Sequence, residues 1–334
     1  MSNDTITFLG CGSWGAALGS VLENKGLNVR FWHRNPKTVR DMQMTRKHYI
    51  MPNVKFGQSV SFHSDINEAI VGSKNIVLAI PSQNVREIIF KIKHSIDSSI
   101  CIINVAKGIE KETLKTVSEV VFDVTKDLSN YVTISGPSHA EEVLANTPTA
   151  LVSASKNMSA ANFVQKLFST NKFRVYTNND LIGVEIGGSA KNVIAIAAGF
   201  CDGFGYGDNT KSALMTRGIK ELSRLGSCFG ATMDTFFGLA GIGDLIVTCS
   251  SVHSRNRKLG ERIGKGIGLD DAMNRSHMIA EGVKTAYSIK KLSEKFDIEM
   301  PICNAVYNVL YENADPVKEV DVLMSRDLKS ESFI

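Results

Sequence analysis

The spacing of apolar and polar residues changes once along the chain, near residue 178. Before that point, short continuous apolar runs such as Ile6–Leu9 and residues 75–80 alternate with longer amphipathic stretches. Continuous runs of this length are typical of parallel strands that are covered on both faces. After that point the patterns become helical and are too long for strands. The sequence therefore predicts an α/β domain with a mostly parallel sheet over residues 1–178 and an all-α domain over residues 179–334.

A glycine-rich turn follows the first predicted strand and precedes a predicted helix that starts near Ala16. Its glycines, Gly10, Gly12 and Gly15, have the G-x-G-x-x-G spacing. The first glycine of this spacing permits a tight turn, the second lets the backbone approach a pyrophosphate, and the third lets the helix pack closely on the strand. A purely structural turn is the alternative. The flanking strand and helix favour a Rossmann-type dinucleotide-binding domain, with the positive end of the helix facing the phosphates.

The second predicted strand, residues 28–32, is followed by His33 and Arg34. Folds specific for NAD usually offer an Asp or a Glu to the adenosine ribose at this position. A cation there is suited to a 2′-phosphate instead, whereas the alternative is an arginine that is solvated at the surface. The sequence therefore predicts that the cofactor is NADP or NAD.

Two lysines are candidates for contact with a small-molecule ligand. Lys107 follows a predicted buried strand over residues 100–105, and ligands of open α/β sheets bind beyond the carboxyl ends of the strands. Lys191 lies inside a mostly apolar helical stretch, where an ammonium group without a partner would be costly. The alternatives are a surface lysine at position 107 and a lysine at position 191 that extends its charged end to solvent. We expect Lys191 to have a partner or a ligand.

Residues 254–257 form a short polar stretch, Ser-Arg-Asn-Arg, which further serines precede. Two arginines flanking an asparagine make a compact set of hydrogen-bond donors. Because arginine presents a bidentate fork to phosphate oxygens, the stretch predicts an anion site. A solvated basic turn is the alternative.

Composition narrows the classes of function. A formal net charge of +4 over 334 residues is mild, and Lys and Arg are scattered, so nucleic acid is not an expected partner. The six cysteines form no CxxC pattern and no cluster with histidine, which predicts reduced thiols, no metal site and a cytoplasmic protein. We expect no membrane span, because no uninterrupted apolar run reaches the necessary length.

An ordered set of short motifs extends from about Thr5 to Ala314. The motifs are GCGSWGAAL, AKGIE, SGPSHAEEV, GGSAKNVIAIAAG, GDNTKSALMTRG, GLAGIGDLIVTC, SRNR and AEGV. With them the chain resembles the NAD(P)-dependent glycerol-3-phosphate dehydrogenases, above all their bacterial soluble form. The resemblance implies a doubly wound N-terminal domain, a helical C-terminal domain, and reversible reduction of dihydroxyacetone phosphate to sn-glycerol 3-phosphate for glycerophospholipid synthesis. A homodimer is expected as well.

The resemblance also implies roles for individual residues of this chain. Lys191 is implied as the proton-transferring catalytic residue, and Lys107 as a second catalytic residue that touches both substrate and cofactor. The implied cofactor contacts are Gly10, Gly12, Ser13, Trp14, Gly15, His33, Arg34, Lys107, Ala140, Arg255, Ile279 and Glu281. The implied substrate contacts are Lys107, Gly136, Ser138, Lys191, Asp244, Ser254, Arg255 and Asn256. Asp244 is expected to hold either Lys191 or a substrate hydroxyl, and Ala106 stands where the family often has threonine.

Two other functions are open at this point. A dehydrogenase of the same architecture could act on a different hydroxy acid, although the SRNR and GGSAKN stretches argue against it. A dinucleotide-binding sensor without catalysis is the second alternative. Such a sensor could dispense with Lys107 or Lys191, and both lysines are present.

Overall fold

The computed structural model describes residues 5–274 and 280–331. The chain divides into two compact units. The N-terminal unit comprises the chain up to Lys107 together with Val117–Leu181, and the C-terminal unit comprises the remaining chain.

One short segment, Gly108–Thr116, belongs to the C-terminal unit although strands of the N-terminal unit flank it in sequence. Ile109 lies in the core of the C-terminal unit, and its carbonyl oxygen accepts a hydrogen bond from Ser288 Oγ at 3.3 Å. Apart from this one segment, the N-terminal unit ends at Leu181 and the C-terminal unit begins at Ile182. A single domain boundary at residue 178 stays a prediction.

The N-terminal unit is built on one sheet of eight strands. The strands are β1 (Ile6–Leu9), β2 (Val29–Trp32), β3 (Ser61–His63), β4 (Asn75–Leu78), β5 (Cys101–Asn104), β6 (Tyr131–Ser135), β7 (Thr149–Ala154) and β8 (Phe173–Asn178). Their order in the sheet is β3-β2-β1-β4-β5-β6-β7-β8, and neighbours pair in parallel except for the antiparallel pair β6 and β7. The predicted α/β fold with a mostly parallel sheet is confirmed.

Helices connect most of these strands. They are α1 (Ser13–Asn24), α2 (Pro36–Thr45), α3 (Ile66–Ile70), α4 (Val85–Ile92), α5 (Val117–Thr125), α6 (Ala140–Leu144) and α7 (Met158–Phe168). Three of them begin at polar side chains that suit a helix start. Asn35, Asp65 and Asn157 each accept hydrogen bonds from backbone N–H groups in the first turn of α2, α3 and α7.

Aromatic rings fill the core beside β1 and β2. The ring centroids of Phe8 and Phe31 are 5.1 Å apart, and Phe31 lies 5.4 Å from Phe56 and 6.0 Å from Phe62. Gly19 of α1 faces Phe31 so closely that a Cβ there would overlap the ring. Since α1 packs this tightly on the sheet, its first turn is held at the carboxyl end of β1.

The described residues of the C-terminal unit form helices joined by loops and no strand, as predicted. Its helices are α8 (Leu181–Gly203), α9 (Asp208–Ser227), α10 (Met233–Phe236), α11 (Asp244–Ser250), α12 (Arg255–Gly264), α13 (Leu269–Asn274), α14 (Glu281–Phe296), α15 (Pro301–Tyr311) and α16 (Pro316–Met324). The central helix is α8, where the consecutive residues Val193, Ile194, Ala195 and Ile196 are fully buried. A helix that is apolar on all sides is typical of a core.

Two stretches are long and apolar enough to cross a membrane by length and composition, Leu181–Gly203 and Met233–Ser250. Neither stretch is an uninterrupted apolar run, because the first carries Glu185 and Lys191 and the second carries Asp234 and Asp244. In the first stretch 94% of the apolar window is buried inside the protein, which identifies α8 as a core helix. The second stretch is 44% buried and is kinked at Gly241.

Candidate active site

The glycine turn between β1 and α1 has the geometry that its spacing predicts. Gly10 has a φ of +108°, which other residues rarely adopt, and a Cβ there would overlap the carbonyl oxygen of Ala79. A Cβ on Gly15 would lie 3.0 Å from Ala79 Cβ and from the Gly10 carbonyl oxygen. Contacts inside the N-terminal unit therefore restrict position 10 to glycine and leave little room for a side chain at position 15.

Gly12 is different, because a Cβ there would meet no described atom within 4 Å. It is the N-cap residue of α1, and within the described chain no side chain caps this helix and no acidic residue lies in its first turn. Ser13 and Trp14 form that turn and are half-buried. Open access to backbone N–H groups at the positive end of a helix fits the pyrophosphate of a dinucleotide.

His48 supports the turn from outside the motif. Its side chain is buried, and Nε2 lies 2.9 Å from the carbonyl oxygen of Cys11. Nδ1 accepts hydrogen bonds from the backbone N–H groups of Ile50 and Met51, so Nε2 carries the proton and donates to Cys11. Burial lowers the pKa of His48, which keeps the ring neutral. Sequence reasoning missed this residue, because a lone histidine outside a motif carries no signal.

His33 and Arg34 follow β2 at the same edge of the sheet as the glycine turn, since β1 and β2 are parallel and in register. The half-buried His33 accepts a hydrogen bond at Nδ1 from the Asn35 backbone N–H at 3.2 Å. Burial, and to a smaller degree the charge of Arg34, lower the pKa of His33. Arg34 is exposed. The end of β2 thus offers an accessible cation beside a neutral ring.

Lys107, Gly136 and Ser138 come together at the carboxyl ends of β5 and β6. The carbonyl oxygen of Gly136 accepts hydrogen bonds from Lys107 Nζ at 3.2 Å and from Ser138 Oγ at 3.0 Å. Gly136 has a φ of +134°, which favours glycine. The buried Asn104 holds the loop before Lys107, because its Oδ1 accepts a hydrogen bond from the Ala106 backbone N–H at 2.9 Å.

Three further predicted cofactor residues have different placements. Ala140 begins α6 and is buried in the N-terminal unit, whereas the half-buried Glu281 begins α14 in the C-terminal unit. Ile279 lies outside the described residues.

Lys191 lies in the middle of α8 with a relative exposure of 6%. Its Nζ donates hydrogen bonds to Asp244 Oδ1 at 2.5 Å and to Thr248 Oγ1 at 2.6 Å. Asp244 is 1% exposed, so two opposite charges are buried together and each offsets the desolvation cost of the other. Lys191 therefore has a partner, as expected, and this partner is Asp244. Thr248 is a second acceptor that the sequence did not predict.

Asp244 reaches Lys191 because the chain before it approaches α8 closely. A Cβ on Gly187 of α8 would lie 2.6 Å from the carbonyl oxygen of Ala240, so the two backbones touch. Gly241 has a φ of −100° and a ψ of −105°, which are not helical, and the chain kinks there before α11 begins. Asp244 is the first residue of α11, where the positive end of the helix favours a carboxylate.

The start of α12 gathers the predicted phosphate contacts of the C-terminal unit. Ser254 is the N-cap residue, and its Oγ accepts a hydrogen bond from the Arg257 backbone N–H at 3.2 Å. The Arg255 side chain is exposed, whereas Asn256 is buried. Asn256 Nδ2 donates to Oδ1 of Asn192 at 3.0 Å, which places Asn192 of α8 in this group without having been predicted.

The side chain of Arg257 does not join the start of α12. Its Nε lies 2.5 Å from Asp202 Oδ2, and the side chain is only 14% exposed. The expectation that both arginines of the SRNR stretch serve as anion donors therefore needs correction for Arg257. A carboxylate of α8 already compensates its charge.

The predicted site residues form two groups, each within one unit. The group of the N-terminal unit, near the carboxyl ends of the parallel strands, is Gly10, Gly12, Ser13, Trp14, Gly15, His33, Arg34, Lys107, Gly136, Ser138 and Ala140. The group of the C-terminal unit, on α8 and at the starts of α11, α12 and α14, is Lys191, Asp244, Ser254, Arg255, Asn256 and Glu281.

Two family models match the chain, one for each part. Residues 5–161 match the NAD-dependent glycerol-3-phosphate dehydrogenase N-terminus, and residues 180–321 match the C-terminus of the same family. The chain belongs to the NAD-dependent glycerol-3-phosphate dehydrogenase family. The glycine turn and the Lys191 site are therefore parts of a dehydrogenase of this family.

Three similar proteins match this chain over nearly its whole length. The chain is 48% identical over 331 residues to a glycerol-3-phosphate dehydrogenase (NAD(P)+) of Clostridium botulinum (strain Eklund 17B / Type B), covering 98% of this chain and 99% of that protein. It is 49% identical over 329 residues to that of Clostridium acetobutylicum, again covering 98% and 99%. The crystal structure of glycerol-3-phosphate dehydrogenase from Coxiella burnetii superimposes with a TM-score of 0.94 at 38% identity, covering 97% of this chain and 99% of that one.

Proposed function

We propose that this protein is an sn-glycerol-3-phosphate dehydrogenase that transfers hydride reversibly between NAD(P)H and dihydroxyacetone phosphate. The observation that carries the proposal is the buried contact of Lys191 with Asp244 and Thr248 in a member of this family. This contact holds an amine at one position, where it is suited to give a proton to a substrate oxygen or to take one. The product, sn-glycerol 3-phosphate, supplies glycerophospholipid synthesis.

The reaction couples hydride transfer to proton transfer. A dinucleotide held along the glycine turn would supply the hydride to the carbonyl carbon and would accept it in the reverse direction. The carbonyl oxygen then gains negative charge and needs a proton. Lys191 Nζ donates this proton as a general acid, and in the reverse direction it removes the proton from the hydroxyl as a general base. Asp244 and Thr248 keep Nζ in place in both directions.

The substrate phosphate binds at the start of α12 in this proposal. Arg255 offers a bidentate fork, and the positive end of the helix, capped by Ser254, favours an anion. The side chain of Asn256, a second proposed phosphate contact, is held in place by its hydrogen bond to Asn192. Binding energy from this remote group orients the carbonyl for reaction.

The N-terminal unit contributes further proposed substrate contacts. They are Lys107, Gly136 and Ser138, which already contact one another through the Gly136 carbonyl oxygen. Lys107 is proposed as a second catalytic residue, because its cation is suited to stabilise negative charge on the substrate oxygen.

The cofactor is NADP or NAD, and its phosphates bind along the glycine turn in this proposal. Gly10 and Gly15 shape the turn, and Gly12 leaves it open. The proposed direct contacts are Gly12, Ser13, Trp14, His33, Arg34, Lys107, Ala140, Arg255, Ile279 and Glu281. The exposed Arg34 supports acceptance of NADPH, because a 2′-phosphate needs a cation there.

We place the enzyme in the cytoplasm as a homodimer, with no nucleic-acid partner. The six free thiols, of which five are buried and that of Cys228 is half-buried, are consistent with a reducing compartment. Sedimentation velocity of the purified protein measures the oligomeric state, and a monomer at all concentrations would contradict the dimer.

The test of the function is oxidation of NADPH or NADH by the purified protein after addition of dihydroxyacetone phosphate. We expect oxidation with at least one cofactor and formation of sn-glycerol 3-phosphate, and much slower oxidation with unphosphorylated dihydroxyacetone. If neither cofactor is oxidised, a dinucleotide-binding sensor becomes the better description. If other keto substrates react as fast, the enzyme is a different dehydrogenase.

A further inference from the structure

Helices α8 and α12 cross in direct backbone contact. Two glycines of α8, Gly199 and Gly203, face two glycines of α12, Gly260 and Gly264. A Cβ on Gly199 would overlap a backbone carbonyl oxygen of α12, and a Cβ on Gly260 would overlap one of α8. A Cβ on Gly264 would lie 3.1 Å from Gly203 Cα. The crossing therefore has no room for a side chain at these positions.

A crossing made of glycines brings two helices close, and only backbone contacts act there to fix their position along the axes. Interlocking side chains normally set that position, and the four glycines offer none. Two polar contacts between the helices accompany the crossing. Asn256 donates a hydrogen bond to Asn192, and Arg257 contacts Asp202. These contacts hold the two residues that directly follow Arg255.

Asp202 binds two cations at the end of α8. Its Oδ2 lies 2.5 Å from Arg257 Nε, and its Oδ1 accepts a hydrogen bond from Lys211 Nζ of α9 at 2.9 Å. The three side chains are 14–17% exposed, so solvent screens their charges only weakly. The contact with Arg257 is short but is not aligned as a regular hydrogen bond, and its stabilisation is therefore mainly ionic.

We propose that Asp202 and Arg257 are a positioning pair for the substrate phosphate, an inference that rests on the proposed function. Neither residue touches the substrate. Their contact sets the position of α12 on α8, and thereby the placement of Arg255 and Asn256 relative to Lys191. Without the pair, the start of α12 shifts along the glycine crossing and the phosphate is recognised less well, while Lys191 keeps its own partners.

The first test is a double-mutant cycle with Asp202→Asn, Arg257→Gln and the double variant. We expect each single substitution to raise KM for dihydroxyacetone phosphate on the order of tenfold to a hundredfold, the effect of a small misplacement. The effects of the two substitutions should combine to less than their product, because both remove the contact between Asp202 and Arg257. Each also removes one contact of its own, that of Asp202 with Lys211 or that of Arg257 with Glu261. Unphosphorylated dihydroxyacetone should show little change. Effects that multiply, or equal losses on both substrates, would overturn the proposal.

Lys265→Gln is the matched control. Lys265 directly follows α12, pairs with Glu261 at 2.6 Å and is 57% exposed, so this substitution removes an ion pair that does not reach α8. Glu261 also lies 3.7 Å from Arg257 Nη1, and the control leaves this contact and the contact of Arg257 with Asp202 in place. We expect an unchanged KM for dihydroxyacetone phosphate. A rise like that of Asp202→Asn would mean that any lost charge pair on α12 has the same effect, and the proposal would fail.

Binding without turnover separates this inference from the proposed function. sn-Glycerol 3-phosphate and NADPH together cannot react, so calorimetry gives the Kd of sn-glycerol 3-phosphate in this complex. We expect this Kd to rise in Asp202→Asn by the same factor as KM, with the Kd of NADPH alone unchanged. A parallel rise of both Kd values would indicate general damage and overturn the inference. The proposed function fails instead if the wild type does not oxidise either cofactor.

Arg257→Lys keeps the test decisive if Asp202→Asn does not fold. Lysine retains the charge but loses the planar guanidinium, so the contact with Asp202 is altered rather than removed. We expect a smaller rise in KM for dihydroxyacetone phosphate than in Arg257→Gln. A KM equal to that of the wild type in both Arg257 variants would overturn the proposal.

Discussion

In the N-terminal unit the candidate ligand site is mainly backbone, whereas in the C-terminal unit it consists of charged and polar side chains. The glycine turn presents N–H groups at the start of α1, and Ala79 leaves no room for a side chain at Gly10 and little room at Gly15. In the C-terminal unit Lys191 and Asp244 bury opposite charges on two helices. One site depends on backbone conformation, and the other depends on charge compensation.

This difference determines how each site responds to the loss of a charge. A buried ion pair is tolerated while both charges are present, but removal of one partner leaves the other uncompensated. An exposed cation near a ligand affects mainly which ligand binds. We therefore expect loss of a charge to reduce stability in the C-terminal unit and to change cofactor preference in the N-terminal unit.

The largest effect is expected for Asp244→Asn, which leaves the ammonium group of Lys191 buried beside a neutral amide. Loss of one partner of a buried pair typically costs about 3–5 kcal/mol in the free energy of unfolding. Denaturant unfolding measures this loss. The double variant Lys191→Met/Asp244→Asn should recover part of it, since it contains neither charge. A double variant that is less stable than Asp244→Asn alone would contradict the explanation by charge compensation.

Glu221 of α9 is a buried carboxyl that differs from Asp244. Among the described residues, no cationic group lies at hydrogen-bond distance from it. Its oxygens accept hydrogen bonds from the Ile302 and Cys303 backbone N–H groups at 2.7 and 3.1 Å, at the start of α15. Burial raises the pKa of Glu221 from 4.5 to about 7, although these hydrogen bonds oppose the shift. The folded protein thus holds this proton more tightly than the unfolded chain.

The free energy of unfolding should therefore fall as pH rises from about 4.5 to about 7, and the contribution of Glu221 to this fall is up to about 3 kcal/mol. Glu221→Gln has no carboxyl to ionise and should lose that part of the pH dependence. Denaturant unfolding of both proteins across this range measures the difference. Glu294→Gln, at an exposed carboxyl of α14, is the control and should match the wild type above about pH 5. Identical pH dependence in wild type and Glu221→Gln would show that Glu221 does not titrate there.

The smallest effect is expected for Arg34→Ala in the N-terminal unit. Because a 2′-phosphate carries about two negative charges and NADH has only hydroxyls there, NADPH should lose more affinity than NADH. The loss for NADPH should be on the order of 1–3 kcal/mol, which shifts preference towards NADH by roughly tenfold or more. The Kd of each reduced cofactor at one ionic strength gives the result. Equal weakening of both would mean that Arg34 contacts a group common to the two cofactors.

The N-terminal unit was easier to predict because its signals are local. Six residues from Gly10 to Gly15, with a strand before and a helix after, contain the information needed for the turn. Continuous apolar runs likewise revealed the buried strands. The strand β3 escaped because three residues are too short to show a period, and His48 escaped because it acts from outside any motif.

The side-chain contacts of the C-terminal unit could not be predicted in the same way. The cost of a buried ammonium predicted that Lys191 has a partner, and only the family resemblance pointed to Asp244 as one of two possibilities. Asp244 and Thr248 lie 53 and 57 residues further along the chain, beyond the reach of a local pattern. An apolar period shows that a residue is buried, not which residue it faces. For the same reason Arg257 was expected to bind an anionic ligand, whereas in the folded chain it contacts the carboxylate of Asp202.

The central claim is that Lys191 moves the proton of the reaction, and kcat of Lys191→Met with NADPH and dihydroxyacetone phosphate tests it most directly. We expect kcat to fall by ~10²–10⁴, the usual contribution of a general acid–base group. The Kd of NADPH should stay at the wild-type value, which shows that the variant is folded and that its glycine turn is intact. A folded Lys191→Met with kcat near that of the wild type would contradict the claim.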